Sequence, residues 1–287
     1  AAILCPGFPP SPTLAAFGAR VLPYIHDVFL ITRPQDLNLR ARLYMARPFA
    51  FAVRRLPRFL VNSEATAGEL RRFCRPDAKI ALYRPQVRNV FGLAPGARVD
   101  RGDAAAPRLL ALGTVEPRKN LRAAAAVVAA LRAQGHAQAG LDIVGRPGWG
   151  EDAAWLATQP GVTMHGYLPA EAARAVVERA DALISTAHDE GLGLPLLEAQ
   201  YAGLPVIAPD QPVFREALGA SGTFISPADP AGAAALIAET LSRPGWRAAA
   251  VAAAESNLAR WNAQAGRDRE AALAMILAAR GEGRGTA

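Results

Sequence analysis

Two short stretches carry side chains whose types and spacing suit a phosphorylated, hydroxyl-bearing ligand. In residues 113–120, GTVEPRKN, Arg118 and Lys119 stand side by side directly before Asn120, a residue suited to cap a helix. Adjacent cations at a helix start, where backbone amides lack intrahelical partners, form an anion site of the kind a diphosphate fills. In residues 188–210, HDEGLGLPLLEAQYAGLPVIAPD, the carboxylates of Glu190 and Glu198 flank Gly191 and Gly193. Pro195 is placed to open a helix and Gly203 to stop it. That helix is expected to carry Glu198 on its first turn, with Glu190 just before the glycine loop, so that both carboxylates face one crevice. The two glycines let the main chain approach a ligand closely, and the helix dipole favours an ionised Glu198. An ionised carboxylate only accepts hydrogen bonds and bridges two neighbouring hydroxyls, as on a ribose or hexose. His26 and Asp27 close another run, RVLPYIHDVFLI, whereas His136, His165 and His188 lie in no motif and read as loop or surface residues.

Positioning such loops requires strands that end beneath them. From residue 108 onward, short apolar runs alternate with amphipathic ones. Strands are expected at 108–113, 141–145, 162–166, 182–186, 205–209 and 223–226. Helices are expected at 121–134, 151–158, 170–180, 195–202, 212–218 and 230–242, with two more at 246–261 and 264–280 and a frayed tail after them. Strands separated by helices make a parallel sheet covered on both faces, a doubly wound, Rossmann-type domain whose ligands sit outside the carboxyl ends of the strands. Residues 94–107, APGARVDRGDAAAP, show no apolar period and read as a linker. Two domains follow, 1–100 and 107–287. In the first, residues 39–59 read as a basic, aromatic helix bent at Pro48, bearing Arg40, Arg42, Arg47, Arg54, Arg55 and Arg58. Such a helix fits an anionic membrane surface as well as an ordinary solvated face. Ser63 is expected to cap a helix ending near Phe73.

Composition sets the outer bounds. The chain has 287 residues, 51% of them apolar and 20% charged, which excludes disorder and allows one large or two modest domains. No run without charge or breaker is longer than residues 123–131, about half of what a bilayer crossing needs. The first residues carry no basic, secretory-type leader, and the two cysteines make no disulfide framework or metal spacing, so the expected location is the cytoplasm. Charge is unevenly spread: fifteen basic against six acidic side chains over residues 1–100, and seventeen against nineteen over 101–287. The first hundred residues therefore suit an anionic partner. Nucleic acid is not that partner, because no groove-reading helix or stacking-aromatic motif is present.

The run EGLGLPLLEAQYAGLPVIAPD, preceded by GTVEPRKN, VGRPGWG and HGYLPAEAARAVVERADALIST, resembles the retaining GT-B glycosyltransferases of family 4, the group 1 glycosyltransferases. It is most similar to bacterial members that build surface polysaccharides, many of them mannosyltransferases. The resemblance implies an α/β chain of the GT-B type, two Rossmann-like domains facing a cleft. It implies transfer of a hexose from a nucleotide-diphosphate sugar to a glycan or lipid-linked acceptor, with retention and without a metal or other cofactor. It also implies work at the inner face of the plasma membrane. By the same resemblance Arg118 and Lys119 neutralise the diphosphate, with Gly113 and Thr114 of the same loop beside the substrate. Glu198 holds the ribose, Glu190 meets the transferred sugar, and the backbone around Gly191, Gly193 and Leu194 touches the sugar or its phosphate. His26 matches the family's HD position near the donor sugar. The first domain is shorter than in the family and lacks its Gly-rich opening loop. A nucleotide-sugar-binding fragment or partner subunit with little turnover of its own is the alternative.

Overall fold

A computed structural model describes residues 2–7, 12–37, 39–94 and 106–281. The chain divides into two compact units. The first comprises Ala1–Gln86, Glu190–Leu192 and Trp261–Ala287, and the second Val87–Asp189 and Gly193–Arg260. The division thus falls between Gln86 and Val87 rather than near residue 100, and most of the expected linker, residues 95–105, lies outside the described residues.

The first unit holds a four-stranded sheet in the order β1 (Ile3–Cys5), β2 (Val21–Ile25), β3 (Arg58–Val61), β4 (Lys79–Leu82). All its pairings are parallel. Its core gathers Val21 and Ile25 of β2, Phe59 and Val61 of β3, Leu70, and Phe49 and Val53 from the helix Ala46–Arg55. Each fully buried side chain of this size contributes roughly 1.5–3 kcal/mol. The expected single helix over 39–59 is two helices, Leu39–Tyr44 and Ala46–Arg55. The break falls at Met45, and Pro48 sits in the second helix's first turn, where its missing amide costs no hydrogen bond. Arg58 is not on that helix's basic face. It lies in β3, 5% exposed, and its guanidinium donates to the Ala19 carbonyl over 3.0 Å. Ser63 caps the helix Glu64–Arg71 by accepting from the Thr66 amide at 3.0 Å.

The second unit is a six-stranded parallel sheet in the order β10-β9-β8-β5-β6-β7. The strands are β5 (Arg108–Leu112), β6 (Gly140–Val144), β7 (Val162–Gly166), β8 (Ala182–Ile184), β9 (Val206–Pro209) and β10 (Gly222–Ile225). Chain order runs outward from β5 in one direction and from β8 in the other, so the switch point lies between these two neighbours. Leu109, Leu141, Ile143, Ile184 and Ile207 meet Ala124, Val127, Val128 and Leu131 of the helix Leu121–Ala133, and Ile237 of Pro230–Ser242. Its strands and helices match the alternation legible in the sequence to within two residues. His165 is not a loop residue: it lies on β7, with Nε2 2.7 Å from the Asp142 carboxylate on β6. The two helices expected after residue 245 are one, Trp246–Gly281, because the alanine-rich flanks carry Asn262 and Gly266 through in helical conformation.

Candidate functional site

At the switch point of the second unit, the loop after β5 is anchored on both sides. The Val115 amide donates to the Arg146 carbonyl, and the Gly148 amide donates back to the Val115 carbonyl, both at 2.9 Å. The two loops meet backbone to backbone. A β-carbon on Gly145 would stand 1.8 Å from the Gly113 oxygen, so only glycine fits there. The turn Pro117–Lys119 then leads to Asn120, whose φ of 48° is left-handed. Asn120 precedes the helix Leu121–Ala133 as expected, but its side chain makes no capping hydrogen bond. An asparagine tolerates this backbone better than most residues, and the reversal it makes is what turns Arg118 and Lys119 back beside the strand end.

The loop after β8 is tied to the same turn. Thr186 Oγ1 donates to the Asn120 carbonyl at 2.8 Å, the His188 amide donates to the Arg118 carbonyl at 2.9 Å, and Arg118 Nη1 donates to the Asp189 carbonyl at 2.8 Å. The other end of the guanidinium pairs with Glu116 at 2.6 Å, and Glu116 is only 8% exposed. Arg118 therefore fixes the two loops to one another. Lys119 extends back along the loop, placing Nζ 3.6 Å from where a Gly113 β-carbon would be. Thr114 is exposed on the same loop. The structure brings Gly113, Thr114, Arg118 and Lys119 together at the carboxyl end of β5. Sequence reasoning missed Glu116, although an acid two residues before an arginine in a tight turn was the available signal.

Gly193, at φ 77°, precedes the helix Leu194–Gln200, and Pro195 is its second residue. Gly203, at φ 67°, follows its end. Glu198 is the fifth residue of this helix rather than part of its first turn, so the dipole acts on it less than expected. Its half-buried carboxyl is instead pushed above the usual glutamate value by burial. Desolvation, not the helix end, dominates its ionisation.

Glu190 and Gly191 belong to the first unit and Glu198 to the second. Within the first unit, Gly191 is held from below: its carbonyl accepts from Ser63 Oγ at 2.8 Å and Thr66 Oγ1 at 3.2 Å. The His26 carbonyl accepts from Asn62 Nδ2 at 2.8 Å and Thr66 Oγ1 at 3.3 Å. Asn62, Ser63 and Thr66 are all buried and so join His26 to Gly191. Ser63 was legible only as a cap. His26 follows β2 directly; its ring is exposed, lies edge-on to Tyr24 at 4.6 Å, and has Nε2 2.8 Å from the Pro6 carbonyl. The Tyr24 phenol is pushed upward, chiefly by burial. Among the described residues, no group of three or more His, Cys, Asp or Glu is gathered as a metal site.

Residues 106–243 match the family described as Glycosyl transferases group 1. O-antigen chain mannosyltransferase B of Escherichia coli is 30% identical over 148 residues, 50% of this chain and 39% of that protein. D-inositol 3-phosphate glycosyltransferase of Thermobispora bispora is 30% identical over 231 residues, 73% of this chain and 54% of that protein. The chain thus spans only about four-tenths to half the length of these relatives. Among solved structures, WaaG, a glycosyltransferase involved in lipopolysaccharide biosynthesis, superposes with a TM-score of 0.64 at 17% identity, over 90% of this chain and 72% of its own. Residues 106–243, just under half of the chain, thus match the group 1 glycosyltransferase family, and the two parallel α/β sheets are those of the GT-B fold.

Proposed function

We propose that this chain transfers a hexose, in this reading mannose, from a nucleotide-diphosphate sugar to a glycan or lipid-linked acceptor in bacterial surface polysaccharide synthesis, with retention of configuration. One observation carries the reading: in a domain that matches the group 1 family, Lys119 stands beside Gly113 and Arg118 ties the same loop to the Asp189 carbonyl at the switch point, where a doubly wound sheet binds its ligand. The mannosyltransferase and lipopolysaccharide relatives support the sugar and the pathway class.

In this mechanism the bond from the anomeric carbon to phosphate breaks and the diphosphate leaves with the electron pair. The acceptor oxygen bonds to that carbon, and its proton passes to the departing phosphate. Negative charge grows on the diphosphate, so a fixed Arg118 and Lys119 stabilise the transition state more than the ground state and no metal or other cofactor is needed. Glu198 accepts from the ribose hydroxyls. Glu190 accepts from those of the hexose, and the backbone of Gly191, Gly193 and Leu194 lines the sugar. The exposed ring of His26 faces the same sugar, with its orientation set by the Pro6 carbonyl.

The chain is also proposed to work against the anionic inner face of the plasma membrane. Leu39, Leu43, Tyr44 and Phe51 are exposed on the helices Leu39–Tyr44 and Ala46–Arg55. Arg40, Arg42, Arg47, Arg54 and Arg55 lie among them with no side-chain hydrogen bond or ion pair among the described residues. The sequence from 37 to 63 contains no acid. Among the described residues, no helix is long and apolar enough to cross a membrane.

The experiment is calorimetric binding of GDP-mannose and UDP-glucose, with transfer of radiolabelled sugar measured in parallel. GDP-mannose binding with transfer supports the proposal. Tighter UDP-glucose binding overturns the choice of mannose, and no binding of either overturns the donor site. A second reading, donor binding with little turnover, is favoured by the confinement of the family match to residues 106–243, and binding without transfer selects it.

A further inference from the structure

A cavity of about 290 Å³ lies wholly within the first unit. Its walls come from the ends of three strands and one helix face: Leu4, Tyr24 and Leu60 from β1 to β3, and Ala272, Leu273 and Ile276 from the last helix. Arg269, Ala272, Leu273 and Ile276 follow the i, i+3, i+4, i+7 spacing, so a single stripe of the helix faces the cavity. Leu60 and Ala272 are buried at its floor, whereas Leu4 and Leu273 are about half exposed at its rim. The Tyr24 hydroxyl, the polar group best placed to meet a ligand from the walls, is already spent in donating to the Tyr83 carbonyl at 2.8 Å.

Among the described residues, the one cation of this lining is Arg269. Its guanidinium is exposed and makes no hydrogen bond or ion pair among the described residues. The neighbouring Asp268 does not neutralise it, because that carboxylate is held by Arg84 at 2.7 Å. An apolar cavity with an unengaged cation at its edge is complementary to a molecule with an aliphatic chain and an anionic head. An engineered dry cavity of about 150 Å³ accommodates benzene, so this one takes a chain segment roughly twice that size.

We propose that this cavity binds the chain of an alkyl or isoprenyl phosphate, with the phosphate on Arg269. The inference stands independently of the transferase reading. It has a consequence at His26, whose ring packs on Tyr24 and whose Nε2 is tied to Pro6, both of them cavity walls. An occupant is felt at the histidine without touching it.

The test is binding of decyl phosphate, kept below its micelle concentration, to the full chain, with decanol and inorganic phosphate as single-feature controls and His26 followed by NMR. Decyl phosphate is expected to bind saturably, about tenfold or more tighter than either control, and to shift the His26 ring signals. Arg269→Glu, on an exposed position that leaves the fold intact, is expected to remove that advantage while leaving decanol binding unchanged. Leu273→Asp at the rim is expected to weaken both amphiphiles. Equal affinity for decyl phosphate and decanol, indifference to Arg269→Glu, or absence of saturable binding would each overturn the proposal.

Discussion

Gly191 is packed so closely on the carbonyl of His26 that a β-carbon at this glycine would stand 2.1 Å from that oxygen. The contact joins two residues far apart in sequence, and Asn62, Ser63 and Thr66 complete it with hydrogen bonds to one carbonyl or both. Glu190, which lies on no helix, is thus next to a glycine anchored by a buried polar network. Gly191→Ala forces the backbone apart, and the expected loss of stability is about 1–3 kcal/mol, read as a lower melting temperature.

Ser63→Ala removes both a helix cap and a hydrogen bond to Gly191. The Gly191 carbonyl keeps Thr66 as a donor, so it is not orphaned and the loss stays near 1–2 kcal/mol. Because both variants disturb the same contact, Ser63→Ala with Gly191→Ala is expected to cost less than the sum of the two. A double-mutant cycle by thermal denaturation checks this; strict additivity would mean that the serine acts only as a cap.

Arg118 and Lys119, adjacent in sequence, are expected to respond differently to substitution. Arg118→Ala leaves the Glu116 carboxylate buried without its partner and frees the Asp189 carbonyl. Breaking a largely buried pair from one side costs about 3 kcal/mol, so this variant loses stability along with affinity. Lys119→Ala, which leaves the Arg118–Glu116 pair intact, is expected to lower the melting temperature less than Arg118→Ala and to bind a nucleotide-diphosphate sugar about tenfold or more weakly. Equal melting losses in the two variants would contradict the division of roles.

The second unit was legible because its strands and helices repeat a strong local pattern. A buried run such as LDIVG and an amphipathic one such as LRAAAAVVAALRA leave little choice of structure. Contacts between distant residues were not legible. Nothing around residues 190–192 announces that their partners are Ser63 and Thr66, and nothing in RRLPRF separates Arg58, paired within a strand, from Arg54 and Arg55, exposed at a helix end. The cationic character of the loop at residues 113–120 was visible as a pair of adjacent basic side chains. The role of Arg118 in clamping two loops was not, because it depends on a carbonyl seventy-one residues away.

Glu198 gives a pH test. Burial raises its carboxyl in the folded chain, so in the interval between the ordinary and the raised value the folded state binds more protons than the unfolded. Stability contributed by this group therefore falls as pH rises through that interval. Glu198→Gln, which has no charge to desolvate, is expected to melt higher than the parent at pH 8. It should lose that advantage below the ordinary glutamate value of about 4.3. The same variant binds donor more weakly, since an amide supplies one acceptor oxygen where the carboxylate supplies two. An advantage that persists unchanged at pH 4 would assign it to packing instead.

The arginines of residues 40–55 separate a membrane-binding face from an ordinary solvated one. Arg47, Arg54 and Arg55 line an exposed surface with Phe51, and each contributes about 1 kcal/mol near an anionic bilayer. Replacing all three by glutamine is expected to reduce binding to phosphatidylglycerol-containing vesicles by about a hundredfold, with no change on neutral phosphatidylcholine vesicles. Raising the salt to 1 M shortens the screening length to about 3 Å and should abolish most of the parent's binding as well. Phe51→Ser tests the apolar part separately, since it lowers vesicle affinity without altering the salt dependence. Arg58→Gln is the opposite control: this guanidinium is buried on the Ala19 carbonyl, so its loss destabilises the first unit and leaves the salt dependence of vesicle binding unchanged. Co-sedimentation at two salt concentrations distinguishes these outcomes, and equal binding by the parent and the triple variant would leave the exposed arginines as a solvated surface.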